Sequence, residues 1–298
     1  MKMKSFTGAY TALITPFNEN DDLDEEGLIH LIQRQIKNHI DGIVILGTTG
    51  EAPTVLKDEG KRIIEIAKKE CTGKTSLIVG TGSYSTKQTI ENTLAVAHFG
   101  IDAALIVTPY YNKPSQEGLY QHYKAITEAT DIPIIIYNIT GRTAQNLHTD
   151  TLKRLLEFPS IVGIKEASGN ISQINDVIEL VREERPDFSV LSGDDALTLP
   201  LMALGGDGVV TVIGNIYPEE VKIMLEAIAM GNYELAREIH YLLMPAVKMA
   251  FLETNPVPIK AMHQLYGLPG GKCRLPLCEL SEENALLLQK VLLKAGLK

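Results

Sequence analysis

Short apolar runs alternate with amphipathic segments eight times in succession, and this alternation limits the fold more than any other feature of the chain. The runs Thr11–Thr15, Gly42–Leu46, Leu77–Gly80, Ala103–Val107, Pro133–Tyr137, Ile161–Lys165, Ser189–Ser192 and Gly208–Val212 read as strands. The segments Asp24–His39, Asp58–Glu70, Thr86–Phe99, Glu117–Ala129, Thr149–Glu157, Asn170–Glu184, Asp195–Leu204 and Pro218–Met230 carry the helical period. Continuous apolar strands joined by helical crossovers specify a parallel sheet covered by helices. Eight such units in about 230 residues predict an α/β fold, a closed (β/α)8 TIM barrel, with an open doubly wound sheet as the alternative. Beyond Met230 the pattern is helical only, at Tyr233–Phe251, Pro258–Tyr266 and Ser281–Leu297. Residues 1–230 are therefore expected to form the barrel and 231–298 an appended helical domain.

Composition removes several classes of function. With 45% hydrophobic residues in 298, the chain has ample material for a core. Its formal charge of −9, with both signs interleaved, argues against a nucleic-acid partner. No apolar run approaches the roughly 18 residues of a membrane span, and the first ten residues lack the apolar segment of a signal peptide, so the cytoplasm is the expected location. Cys71, Cys273 and Cys278 form no C-x-x-C pair and are expected as free thiols. Scattered histidines without an H-E-x-x-H helix predict no metal site. Gly80-Thr81-Gly82-Ser83 lacks the third glycine of a dinucleotide fingerprint, and no cofactor is expected there. Asp194-Asp195 is read as a helix cap rather than a metal pair.

The unusual residues stand at the strand ends. Gly47-Thr48-Thr49-Gly50-Glu51 follows the second strand, Tyr110-Tyr111-Asn112 the fourth, Tyr137-Asn138 with Gly141-Arg142 the fifth, and Ser192-Gly193-Asp194 the seventh. Lys165 ends the sixth. In a barrel the C-terminal strand ends converge on one mouth, where active sites of this architecture lie. Turn chemistry accounts for Gly, Thr, Asn and Asp at such places, but not for two tyrosines, an arginine and a lysine.

Lys165 shares its strand face with Gly163 and Ala167, both small, and has no carboxylate on that face, since Ile164 and Glu166 take the other. A lysine with its ordinary pKa near 10.4 is neutral about one time in a thousand at pH 7.4, and burial raises that fraction. A neutral amine condenses with a keto acid to a Schiff base, whose nitrogen then acidifies the adjacent carbon and gives an enamine. Tyr137 can carry protons beside it, and Thr49 and Tyr111 can pass them outward. The N–H groups and hydroxyls of Thr48 and Thr49 suit one carboxylate, and Arg142 a second.

Gly47-Thr48-Thr49-Gly50-Glu51, Tyr137-Asn138 and Gly163-Ile164-Lys165-Glu166 together resemble the pyruvate-dependent class I aldolase and lyase superfamily. Tyr110-Tyr111-Asn112-Lys113-Pro114-Ser115-Gln116-Glu117-Gly118, Gly141-Arg142-Thr143 and Leu191-Ser192-Gly193-Asp194-Asp195 narrow the resemblance to its 4-hydroxy-tetrahydrodipicolinate synthase family, from about Phe6 to the C-terminus. That resemblance implies condensation of pyruvate with L-aspartate 4-semialdehyde in lysine and diaminopimelate biosynthesis. It implies Lys165 as the Schiff-base residue; Tyr137, Thr49 and Tyr111 as the proton relay, with Tyr111 reaching a neighbouring subunit; and Thr48 with Thr49 as the pyruvate carboxylate site. Arg142 would receive the semialdehyde carboxylate, and Gly193 and Val210 would line the pocket. A homotetramer, a dimer of dimers, is implied, with no cofactor and no metal.

Two departures from the family pattern matter. Thr140 stands where proline is common, which removes one fixed φ before Arg142. Tyr84, Gln88 and Lys57 stand where lysine-regulated members carry Asn, Glu and His, so feedback by lysine is expected to be weak or absent. Steady-state turnover that stays level with added lysine bears this out, and strong sub-millimolar inhibition contradicts it. Two other functions compete with the synthase. A lyase acting on N-acetylneuraminate or a keto-deoxy sugar acid would need hydroxyl-binding groups where Arg142 stands. A catalytically silent barrel serving as a binding or structural partner would need neither the amine nor the relay.

Overall fold

The computed structural model describes residues 5–297. In chain order these form β1 (Gly8–Ala12), α1 (Glu25–Lys37), β2 (Gly42–Ile45), α2 (Lys57–Cys71), β3 (Ser76–Gly80), α3 (Thr86–Val96), β4 (Ala103–Val107), α4 (Gln116–Ala129) and β5 (Ile134–Asn138). Then follow α5 (Thr140–Thr143), α6 (Thr149–Leu155), β6 (Ile161–Glu166), α7 (Ile171–Glu184), β7 (Ser189–Ser192), α8 (Thr198–Ala203), β8 (Gly208–Thr211), α9 (Pro218–Ala229), α10 (Tyr233–Ala250), α11 (Val257–Leu265) and α12 (Glu282–Lys294). The strands lie side by side in the order β1 to β8 and close on themselves, so the expected barrel is the observed one. Among the described residues, no helix is long and apolar enough to cross a membrane.

Most boundaries agree with the sequence reading, because strand runs bounded by polar caps leave little choice. Asp24, Ser85, Ser115, Asn170, Asn232 and Ser281 each accept a backbone N–H at a helix start. The largest difference is at β1, expected at Thr11–Thr15 and found three residues earlier. Tyr10, Thr11 and Ala12 pair with Gly42, Ile43 and Val44, whereas Ile14 gives its N–H to the Asn215 side chain and Thr15 its hydroxyl to Gly50 O. Leu13 still gives its N–H to Val44 O, but Ile14 and Thr15 are buried without pairing to a neighbouring strand. The segment expected as one helix from Asp195 begins as a 3-10 turn, Asp195–Leu197, before α8.

The chain packs as two compact units. One comprises Met1–Gly8, described from residue 5, with Ile78–Val210. Its core lies where Ala104, Ile106, Ile134, Ile136 and Ile164 of β4, β5 and β6 meet Leu119, Tyr123, Leu152, Ile174 and Val177 of α4, α6 and α7. The other comprises Ala9–Leu77 with Thr211–Lys298. There Asn215 ties β1 to the segment after β8, giving its amide to Ala12 O at 2.8 Å, while Lys222 pairs with Asp41 at 2.8 Å.

Candidate active site

A bulge sets the direction of Lys165. β5 and β6 pair in parallel with Ile134 opposite Ile161 but Ile135 opposite Gly163, so Val162 is an extra residue. Ile161 and Ile164 both face the helix-covered core as a result. The strand's alternation then restarts and turns Lys165 to the opposite face. Register pairs it with Tyr137. Its Nζ lies 4.1 Å from the centroid of the Tyr137 ring, and the lysine is 5% exposed.

Burial lowers the Lys165 pKa to about 7, with the charge of Asp195 opposing the shift and that of Arg142 adding to it. About half of such an amine is neutral near pH 7. The sequence reading found no carboxylate near this lysine and assigned the Asp194-Asp195 pair to capping. Asp194 does cap, accepting the Ala196 N–H at 2.9 Å, but Asp195 also acts on the amine. Lys260 is the instructive contrast. It is as buried as Lys165, but its Nζ lies 2.6 Å from Glu51 Oε1 and donates to Lys272 O at 2.9 Å. Burial pushes its pKa down while Glu51 holds the charged form. An amine so occupied is a poor nucleophile.

Gly193 makes room for the lysine stem. A Cβ there would lie 2.7 Å from Ala167 Cβ and 3.0 Å from both Cε and Cγ of Lys165. We expect Gly193→Ala to displace the amine and lower turnover about tenfold, since small misplacements of reacting groups cost heavily. Parallel kinetics and circular dichroism check this; unchanged turnover in a folded variant contradicts it.

Arg142 lies on the single turn α5, exposed, with its N–H bonded to Ile139 O at 3.2 Å. Thr140, which replaces the expected proline, donates to Asn146 Oδ1 at 3.4 Å. Asn146 Oδ1 also accepts from Asn138 at 2.9 Å and Gln173 at 3.1 Å, and Asn138 donates to Glu166 Oε2 at 3.1 Å. Burial raises the Glu166 pKa, and bonds from Ser168 and Asn138 oppose the rise. This polar network behind β5 and β6 ties down the Arg142 loop without a proline, and only part of it, Asn138, Thr140 and Glu166, stood out in the sequence. Val210 is buried in β8. Tyr111 is not brought to the amine within its own chain: its side chain is 90% exposed and its backbone is left-handed, at φ 70°. Thr48 is partly buried in the turn after β2, and Thr49 is buried there and accepts a hydrogen bond from Asn255 at 2.9 Å. The sequence reading did not single out Asn255 or Lys260; a lysine within the apolar segment Pro256–Met262 was the available signal.

The model of the dihydrodipicolinate synthetase family matches residues 5–295. The 4-hydroxy-tetrahydrodipicolinate synthase of Protochlamydia amoebophila is 55% identical over 96% of this chain and 95% of its own. A crystal structure of dihydrodipicolinate synthase from Thermotoga maritima superposes with a TM-score of 0.96 at 42% identity, covering 99% of this chain and 100% of that one. A structure described as the first monomeric dihydrodipicolinate synthase variant gives 0.95 at 42% identity, covering 98% of both chains. With the buried lysine paired to a tyrosine across β5 and β6, these likenesses place the chain: it belongs to the dihydrodipicolinate synthetase family.

Proposed function

We infer that the chain condenses pyruvate with L-aspartate 4-semialdehyde to 4-hydroxy-tetrahydrodipicolinate, as a lyase of lysine biosynthesis. The observation that carries this reading is an amine with its pKa lowered to about 7, on a helix-free strand face, against the ring of Tyr137. The Lys165 amine attacks the keto carbon of pyruvate, water leaves, and a protonated imine remains. Loss of a methyl proton gives the enamine, which attacks the aldehyde carbon of the second substrate. The amino group of that substrate then attacks the imine carbon, closes the ring and releases Lys165. Tyr137 moves the protons, with Thr49 and Tyr111 as the relay.

Thr48 and Thr49 hold the pyruvate carboxylate, Arg142 the semialdehyde carboxylate, and Gly193 and Val210 line the pocket beside Lys165. The electron sink is the imine nitrogen itself, so the chemistry calls for no cofactor and no metal. Residues 1–230 form the catalytic barrel and 231–298 the helical domain. The assembly is a homotetramer, a dimer of dimers, located in the cytoplasm. The exposure of Tyr111, next in sequence to Tyr110, whose ring packs edge-on against the 55% exposed Tyr84, supports the delivery of Tyr111 to a neighbouring subunit. An assay coupling pyruvate and aspartate semialdehyde to a downstream reductase tests the reading. Turnover there, with none on N-acetylneuraminate, is expected; the reverse pattern favours the sugar-acid lyase.

A further inference from the structure

The turn Gly47–Glu51 is held by residues more than two hundred positions away. Asn255, buried just before α11, donates its amide nitrogen to Thr49 Oγ1 at 2.9 Å. Glu51, two residues past Thr49, has φ 53° and is buried against Lys260 of α11 at 2.6 Å. Its second oxygen accepts the Arg274 N–H at 2.9 Å. The Arg274 guanidinium in turn forks onto both oxygens of Glu59, at 2.6 and 2.7 Å, and stacks 3.9 Å from the Phe17 ring centroid. The turn is thus pinned at its middle, Thr49, and at its C-terminal end, Glu51, by α11 and its flanking segments, and breaking a buried ion pair by removing one member is costly.

The contact to Thr49 is directional. An amide nitrogen has only hydrogens to offer, so Thr49 Oγ1 accepts there and its own hydroxyl hydrogen must point elsewhere. Accepting a hydrogen bond also polarises the hydroxyl and makes it a stronger donor. We propose that Asn255 is a positioning residue for the condensation, which fixes Thr49 in one rotamer and in the donor sense, while the Glu51–Lys260 pair holds the turn beneath it. Without Asn255 the hydroxyl is free to rotate, and proton transfer through it loses its set direction. This inference rests on the assignment of Thr49 to the proton path made above.

The test compares the full-length protein with Asn255→Ala, Thr49→Val and the double variant, reading kcat and pyruvate KM. A positioning role predicts that Asn255→Ala lowers kcat about tenfold and moves KM less than about twofold, a fraction of what general acid–base catalysis contributes. In the Thr49→Val background, the same change should alter kcat by less than about twofold, because the group it acts through is gone. If Thr49→Val alone leaves kcat at the wild-type level, the assignment of Thr49 fails and the inference fails with it. If Thr49→Val lowers kcat but Asn255→Ala costs as much in both backgrounds, the assignment stands and the inference is overturned. Asn255→Asp, equal in size but without the N–H donors, provides the same comparison should the alanine variant not fold. Wild-type kcat in Asn255→Asp also overturns the proposal.

Discussion

Lys165→Ala loses at least about a hundredfold in turnover and all capacity to form a covalent adduct with pyruvate, the scale expected when a covalent route is removed. The reasons are local. Burial brings the amine to a pKa of about 7, Gly193 leaves its stem unobstructed, and Arg142 adds a positive field that favours the neutral form. The same pKa sets a pH dependence. The neutral fraction falls about tenfold per pH unit below the pKa, so initial adduct formation should decline with that slope below pH 7. It should level off above it. Asp195 works against the shift, and Asp195→Asn should move the inflection to lower pH. Steady-state kinetics and adduct formation across pH check both statements, and an inflection near 10 contradicts them.

Tyr137→Phe lowers kcat about a hundredfold, within the range that a positioned proton carrier contributes. The substitution separates chemistry from packing. The ring that faces Lys165 Nζ at 4.1 Å remains, so the contact between ring and amine persists and the melting temperature should move little. Only the hydroxyl is lost. Pyruvate KM should change less than kcat, because the residue is proposed to act in proton transfer rather than in carboxylate binding. Near wild-type kcat in this variant would remove Tyr137 from the proton path.

The strands were legible because each is buried on both faces and therefore continuously apolar, and the helices because polar caps mark their starts. Leu13–Thr15 misled for the same reason: burial that continues past the end of the paired strand leaves an identical pattern. The direction of Lys165 was inferred by counting alternation along β6, which agrees with the structure for Gly163, Lys165 and Ile164. Alternation alone would have put Ile161 beside the lysine, and only the bulge at Val162 separates them. No single-sequence signal marks such a bulge. Asp195 looked like part of a cap because its charge acts on the amine from the 3-10 turn after β7, a proximity that only the folded chain creates. Asn255 and Lys260 escaped notice because their partners, Thr49 and Glu51, are distant in sequence and meet them only in the folded chain.

Reduction with borohydride in the presence of pyruvate, followed by peptide mass mapping, bears most directly on the central claim. Among the described residues, Lys165 and Lys260 are almost wholly buried with lowered pKa values, and of these two it is Lys260 that has an ion-pair partner at contact distance. The account predicts the reduced pyruvyl adduct on Lys165 and none on Lys260. An adduct on Lys260, or turnover with no trapped lysine at all, would contradict it.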